Sequence, residues 1–364
     1  MTQLFKLEDY LTNGVENIVK GAIRATFKNP RQSLFFAQFA LAIKEASKRR
    51  KTAEESGVHI PPFLIASITS SCNLHCQGCY SRFNEQCTDD VPNGQLSTNE
   101  WEKIFLEARS IGCSFILLAG GEPMIRRDVL QMAGTIPELL FPIFTNGTML
   151  DSDYLALFDQ HRNLIPVFSI EGHKDKTDLR RGDGVFDKIN ASMEMMRSNQ
   201  LLFGASVTVT TENLEEVTSD SFTGYLRSLG CKVIFYVEYV PVSAETAHLA
   251  PADAERRYLD QRLNILRSTD DSIVYISFPG DEKSSGGCLA AGRGFFHINA
   301  QGNAEPCPFS PYSDISVKNT SLLDALQSKL FQKLRSGEFL MEEHAGGCVL
   351  FEKKELVEHL LSMD

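Results

Sequence analysis

The chain has 364 residues, 43% hydrophobic and 23% charged, enough to bury a full-sized core and too mixed in character for a collagen-like, disordered or disulfide-scaffold protein. Its 36 Lys and Arg against 47 Asp and Glu give a net charge of −11, which speaks against partnership with nucleic acid and for a small-molecule, peptide or lipid ligand. No run reaches the roughly 18–20 uncharged apolar residues of a membrane span and the N-terminus lacks a signal-peptide layout, so a cytoplasmic location with reduced cysteines is expected.

Residues 1–62 form a first segment, with helical patterns near 14–28 and 32–50 and a break at Pro61-Pro62. Between 18 and 51 there are nine basic residues (Lys20, Arg24, Lys28, Arg31, Lys44, Lys48, Arg49, Arg50, Lys51) against one acidic residue, Glu45. Leu34, Phe35, Phe36, Phe39, Leu41 and Ile43 share this stretch. Two placements are open: peripheral contact with an anionic membrane or the cap of a substrate channel, or helices packed on the main domain with a solvated basic face.

From 63 to 240 short β-branched runs alternate with amphipathic ones, the pattern of βα units around a parallel sheet. Six strands are expected, at Phe63–Thr69, Phe115–Ala119, Pro142–Thr145, Ile165–Ile170, Phe203–Thr210 and Val233–Val240. Helices are expected near 98–110, 127–134, 151–160, 187–198 and 214–228. Six units are fewer than a closed barrel's eight, so the fold class is α/β, a partial (β/α)6 TIM-like barrel with its site at the carboxyl ends of the strands. Residues 241–285 are read as a helical connector (251–269) and a Gly/Ser-rich hinge at 281–287. Residues 286–364 are read as a small α+β domain with Cys288, Cys307 and Cys348, a hairpin at Phe295–Ala304 and two helices. So small a unit has a marginal core, which a metal staple would strengthen.

The chemistry is concentrated just after the first strand, in Cys72-Asn73-Leu74-His75-Cys76-Gln77-Gly78-Cys79-Tyr80. This spacing lets one loop wrap three thiolates around three corners of a cubane [4Fe-4S] cluster, leaving the fourth iron for a reactant. Zinc, with His75 as a ligand, and a purely structural cluster are the competing readings. After the second strand Gly120 and Gly121 permit close backbone approach, and Glu122-Pro123 offers acceptors for an ammonium group. Thr145-Asn146-Gly147 and Ser169-Ile170-Glu171-Gly172 end the third and fourth strands on the same rim.

These motifs in this order resemble the radical SAM superfamily. The resemblance implies that the open iron binds S-adenosylmethionine and that one electron cleaves it to methionine and a 5′-deoxyadenosyl radical, which removes a hydrogen atom from the substrate. It also implies a cofactor-contacting set of Gly120, Gly121, Glu122, Asn146, Ser169, Glu171, Arg181 and Tyr80. Within it Ser169 and Arg181 meet the methionyl carboxylate, Arg180 being the second candidate and a helix-capping surface arginine the alternative. Glu171 stands where the family often has aspartate.

Cys288, Gly302 and Cys307 resemble the opening of the SPASM or Twitch extension, which implies one auxiliary iron–sulfur cluster in a Twitch-like C-terminal domain, with Cys348 as a third ligand. The fourth ligand is open among His344, Cys87, water and substrate, and loss of the cluster or zinc in its place is the alternative. Cys113 and Cys231 are expected to be buried apolar side chains and Cys87 a solvent-exposed spectator. The resemblance further implies a low-potential electron donor such as flavodoxin or ferredoxin. It leaves the substrate open among small metabolites, lipids and peptides. The rival from another class is a non-catalytic iron–sulfur carrier or metal-stabilised binding protein on the same fold.

Overall fold

The computed structural model describes residues 7, 21, 29–90, 93–337, 340 and 348–362. The helical pattern near 14–28, apart from residue 21, lies outside the described residues, as do Lys20, Arg24, Lys28, His344, Gly346 and Gly347.

The β-branched and aromatic runs pair into one nine-stranded sheet: β1 Phe63–Thr69, β2 Phe115–Gly120, β3 Phe141–Thr145, β4 Leu164–Ser169, β5 Gly204–Val209, β6 Val233–Glu238, β7 Val274–Phe278, β8 His297–Ile298 and β9 Ala304–Glu305. Their order is β7-β6-β5-β4-β3-β2-β1-β8-β9, with every pairing parallel except β8 with β9. Helical crossovers between parallel neighbours cover the outer face, as such connections require. Leu64, Ala66 and Ile68 of β1 are fully buried in the cluster that holds Trp101 and Phe105 of the Thr98–Ile111 helix. Ser97 and Glu100 start that helix with a capping box.

On the opposite face the strands alternate. Phe63, Ile65 and Ser67 of β1, Phe235 and Val237 of β6, and Ile276 and Phe278 of β7 are only half-buried. Phe144 and Phe235, from strands three places apart in the sheet, bring their rings to 5.2 Å, so this face is the concave interior of a partial barrel. Phe295 sits between its two sides, 5.3 Å from Phe63 and 5.5 Å from Phe278.

Six expected strands are present, and a seventh, β7, runs through the segment read as connector. Its five residues are too short for periodicity to separate strand from loop. The expected 281–287 hinge begins as a 3-10 turn, Gly280–Ser285. The single helix expected at 214–228 is two, Leu214–Val217 and Asp220–Ser228, because Ser219 caps the second through Phe222 N–H. The Lys174–Arg181 helix was not anticipated. The C-terminal hairpin joins the barrel sheet directly through β8 and β1.

The Pro30–Glu55 helix answers the question of the basic apolar N-terminus as far as it is described. Phe36, Phe39 and Ile43 are buried with Phe115, Leu140, Ile165 and Leu202, which lie at or just before the amino ends of β2 to β5. The helix therefore floors the barrel. Three of its arginines serve this docking: Arg31 pairs with Asp159 at 3.1 Å, Arg49 donates to the Arg109 carbonyl, and buried Arg50 donates to the Gly112 carbonyl at 2.7 Å. No helix among the described residues is long and apolar enough to cross a membrane.

Candidate functional site

β1 delivers the three-cysteine loop to the carboxyl rim, and hydrogen bonds from four directions shape it. Cys72 N–H donates to Thr88 O at 3.0 Å. Arg82 donates to the carbonyls of Cys72 and Leu74. Gln77 N–H donates to Arg180 O at 2.8 Å, and Asn146 Nδ2 donates to Asn73 Oδ1 at 2.8 Å. Cys72, Cys76 and Cys79 are all half-buried. The Cys87 thiol donates to Cys72, which outweighs burial and lowers the Cys72 thiol to about 6. Cys87 is 6% exposed, which corrects its reading as a solvent-exposed spectator: the loop between Cys79 and Thr88 folds it back under the motif. Burial raises Cys76, against the pull of Arg181 and Arg180. His75, the zinc alternative's extra ligand, is exposed and pairs with Asp89 at 3.0 Å.

The glycine pair after β2 is required by the chain's own approach to this loop. A Cβ on Gly120 would stand 2.2 Å from the Thr69 carbonyl oxygen and one on Gly121 2.1 Å from that of Ser71. Gly121 N–H and Glu122 N–H donate to those same two carbonyls at 2.8 Å. The Glu122 side chain is committed inward, accepting from Thr145 Oγ1 at 2.7 Å, Asn146 N–H at 2.7 Å and Met124 N–H at 2.9 Å. Burial nevertheless pushes its carboxyl up to about 7. The close approach and the side-chain acceptors expected to serve a ligand thus also lock β2, β3 and the cysteine loop together.

Ser169 ends β4 half-buried, beside Ser206 of β5. Glu171, 1% exposed, is the hub of the next contact set. It accepts from Arg180 Nη1 at 2.7 Å, Arg181 Nε at 3.0 Å and Thr208 N–H at 3.0 Å, with a further bond from Arg181 Nη2. Burial alone would raise this carboxyl, but the two guanidiniums outweigh it and hold it below the usual range. Arg181 Nη1 lies 3.9 Å from the Cys76 sulfur, and the side chain is 11% exposed, so it is not a surface arginine capping a helix. Tyr80 turns away from this set. Its ring meets Phe309 edge-on at 4.7 Å, and burial pushes its phenol above the usual range.

The second cysteine set lies beyond Tyr80. Cys288, Cys307 and Cys348 line one cavity with Phe278, Phe295 and Phe309. Cys113 and Cys231 are buried apart from both sets, as expected.

Sequence reasoning missed a buried polar chain that ties β1 to β8, β9 and the segment just before Cys87. His297 Nε2 is 2.7 Å from Ser67 Oγ on the barrel's inner face, and His297 Nδ1 is 2.7 Å from Glu305 Oε2. Glu305 also accepts from Asn299 Nδ2 and from Gln86 Nε2, the residue before Cys87. No local signal announces it, because β1, β8 and β9 contribute one residue each.

Among the described residues, no three His, Cys, Asp or Glu side chains draw together tightly enough to hold a single metal ion. The three half-buried thiols of the first loop, with three arginines beside them, suit a larger body of net negative charge.

Residues 66–220 match the Radical SAM superfamily. An AdoMet-dependent heme synthase of Methanosarcina barkeri is 28% identical over 324 residues, covering 81% of this chain and 90% of that protein. Mycofactocin maturase MftC of Mycolicibacterium smegmatis is 25% identical over 315 residues, covering 81% and 76%. Among solved structures, Streptococcus suis SuiB bound to S-adenosylmethionine superposes with a TM-score of 0.67 at 15% identity, covering 84% of this chain and 77% of that one, a likeness of fold.

Proposed function

We propose a division of labour and a substrate class for a chain that belongs to the radical SAM superfamily and is a radical SAM enzyme. A [4Fe-4S] cluster held by Cys72, Cys76 and Cys79 would supply the electron for reductive cleavage of S-adenosylmethionine, the source of the radical chemistry that removes hydrogen from the substrate. Cys72, Cys76 and Cys79 hold the cluster. The edge formed by Gly120, Gly121 and Glu122, tied to Asn146, receives the methionyl ammonium. Ser169 and Arg181 receive the carboxylate, with Glu171 fixing the angle of the guanidinium. Tyr80 forms the boundary with the C-terminal segment, where Cys288, Cys307 and Cys348 hold an auxiliary cluster. Residues 63–240 and 286–364 are the two functional units. A low-potential flavodoxin or ferredoxin donates the electron.

The observation that carries this reading is the Glu171–Arg181 pair beside Cys76. A non-catalytic carrier has no use for a guanidinium oriented at that rim, whereas an α-carboxylate does.

For the substrate, an iron porphyrin with propionate side chains ranks first. The chain's likeness to AdoMet-dependent heme synthase spans most of both proteins, and the inner face of the barrel is apolar at half-buried Leu117, Phe144 and Phe235. A peptide ranks second, on the likeness to mycofactocin maturase.

The test is anaerobic reconstitution followed by S-adenosylmethionine and dithionite. Release of 5′-deoxyadenosine is expected, lost in Cys76→Ala and accelerated by iron coproporphyrin, whose mass falls by carboxyl groups. Release that persists in Cys76→Ala overturns the cluster assignment; release indifferent to the porphyrin overturns the substrate class.

A further inference from the structure

We propose that the Tyr239 hydroxyl is a hydrogen-bond donor to the iron–sulfur cluster of the first cysteine loop and raises its midpoint potential. This rests on the reading of Cys72, Cys76 and Cys79 as the ligands of that cluster.

Tyr239 follows β6 directly, and its N–H donates to Val209 O at 2.9 Å, which fixes it where β5 and β6 end. From there the side chain reaches Gly78, the residue before Cys79 and two after Cys76. A Cβ on Gly78 would lie 2.5 Å from the Tyr239 hydroxyl oxygen and 2.9 Å from its Cε2. Gly78 also has a φ of +68°, so the loop holds glycine there for two reasons, a left-handed backbone and the space the phenol takes. Tyr239 is 5% exposed. Its hydroxyl oxygen is closed to solvent and has no hydrogen-bond partner among the described residues.

A phenol sealed in this way is costly unless an acceptor meets it. The cation over its ring cannot serve, because the Arg180 guanidinium, 5.9 Å from the ring centroid, has only donors to offer. Arg180 instead clamps the loop: its carbonyl accepts from Gln77 N–H at 2.8 Å and its Nε donates to Gln77 O at 3.2 Å. The segment from Cys76 to Cys79 is thus held against the phenol, and the acceptors it gathers are sulfur, its own thiolates and the sulfides of the cluster they hold. Reduction adds negative charge to those sulfurs, and a donor that meets the charge stabilises the reduced state. Tyr239 thereby sets how readily the electron donor reduces this cluster.

The test uses the full chain, reconstituted anaerobically without S-adenosylmethionine, and follows the reduced-state EPR signal that Cys76→Ala removes. Its midpoint potential is read for the native protein, for Tyr239→Phe and for protein with fluorotyrosine in place of Tyr239, a more acidic phenol and a stronger donor. Tyr239→Phe is expected to keep the iron and sulfide content and to lower the potential, and fluorotyrosine to raise it. Unchanged potentials in both would overturn the proposal. So would a Tyr239→Phe protein that differs only in its Kd for S-adenosylmethionine, which would place the hydroxyl on that ligand instead. If Tyr239→Phe takes up no iron, the fluorotyrosine protein decides: a raised potential upholds the donor, and any other result overturns it. A signal that survives Cys76→Ala would instead strike the underlying assignment of the cysteine loop, which separates the two failures.

Discussion

Arg181 reaches to 3.9 Å from the Cys76 sulfur while buried Glu171 grips the same guanidinium. The pairing sets the direction of the fork while leaving one face toward the rim, and both charges are desolvated enough to matter.

Removal of this guanidinium should be felt in cofactor affinity before anything else. A charge-assisted contact contributes ~1.5–3 kcal/mol, so Arg181→Ala should weaken S-adenosylmethionine binding by roughly 10- to 150-fold, with the visible absorbance of the cluster retained. Equilibrium dialysis under anaerobic conditions measures it. An unchanged Kd would remove Arg181 from the site.

Glu122 gives a pH prediction with a definite sign. Its carboxyl in the folded chain, pushed up to about 7, lies above the ordinary glutamate value of 4.5, so between these values the folded chain binds a proton that the unfolded chain has released. Protonation therefore favours the fold at low pH, and this contribution declines as pH rises through the window, by at most ~1.4 kcal/mol per pH unit. Urea midpoints of the cluster-free protein should show the decline, and Glu122→Gln should flatten it. Equal slopes in the two proteins would refute the assignment.

Gly121 cannot carry a side chain without moving the first cysteine loop, since its Cβ would lie 2.1 Å from Ser71 O and 3.1 Å from Cys72 N. Gly121→Ala should lower iron retention at Cys72, Cys76 and Cys79 while the auxiliary site fills as before. Full loading of both sites would show that the loop tolerates the displacement.

At the barrel floor, Phe36→Ala should cost ~3–5 kcal/mol by leaving a cavity, whereas Leu41→Ala, on a side chain 66% exposed, should stay within about 0.5 kcal/mol. Thermal or urea unfolding distinguishes them. Similar losses in both would mean that the helix is not anchored as described.

Sequence alone determined the elements whose signal is local. The spacing of Cys72, Cys76 and Cys79 is a property of one loop, and the βα alternation is a property of windows of about ten to fifteen residues; both survive in the structure. Gly120 and Gly121 were identified from sequence too, although the atoms that make them necessary are the Thr69 and Ser71 carbonyls. Sequence reasoning preferred Arg181 to Arg180, yet the helix that presents both was not legible: Lys174–Arg181 is almost wholly polar and has one buried residue, Thr177, so no apolar periodicity marks it.

Only the tertiary structure decided which distant residues share a volume. Cys87 returning to Cys72, β8 pairing with β1 so that His297 joins Ser67 to Glu305, and Glu282 entering the cavity of Cys288, Cys307 and Cys348 all depend on contacts spanning from six to more than two hundred residues. Such contacts are selected by how sheet, floor helix and hairpin close around one core, and that closure leaves no periodic trace in any single segment.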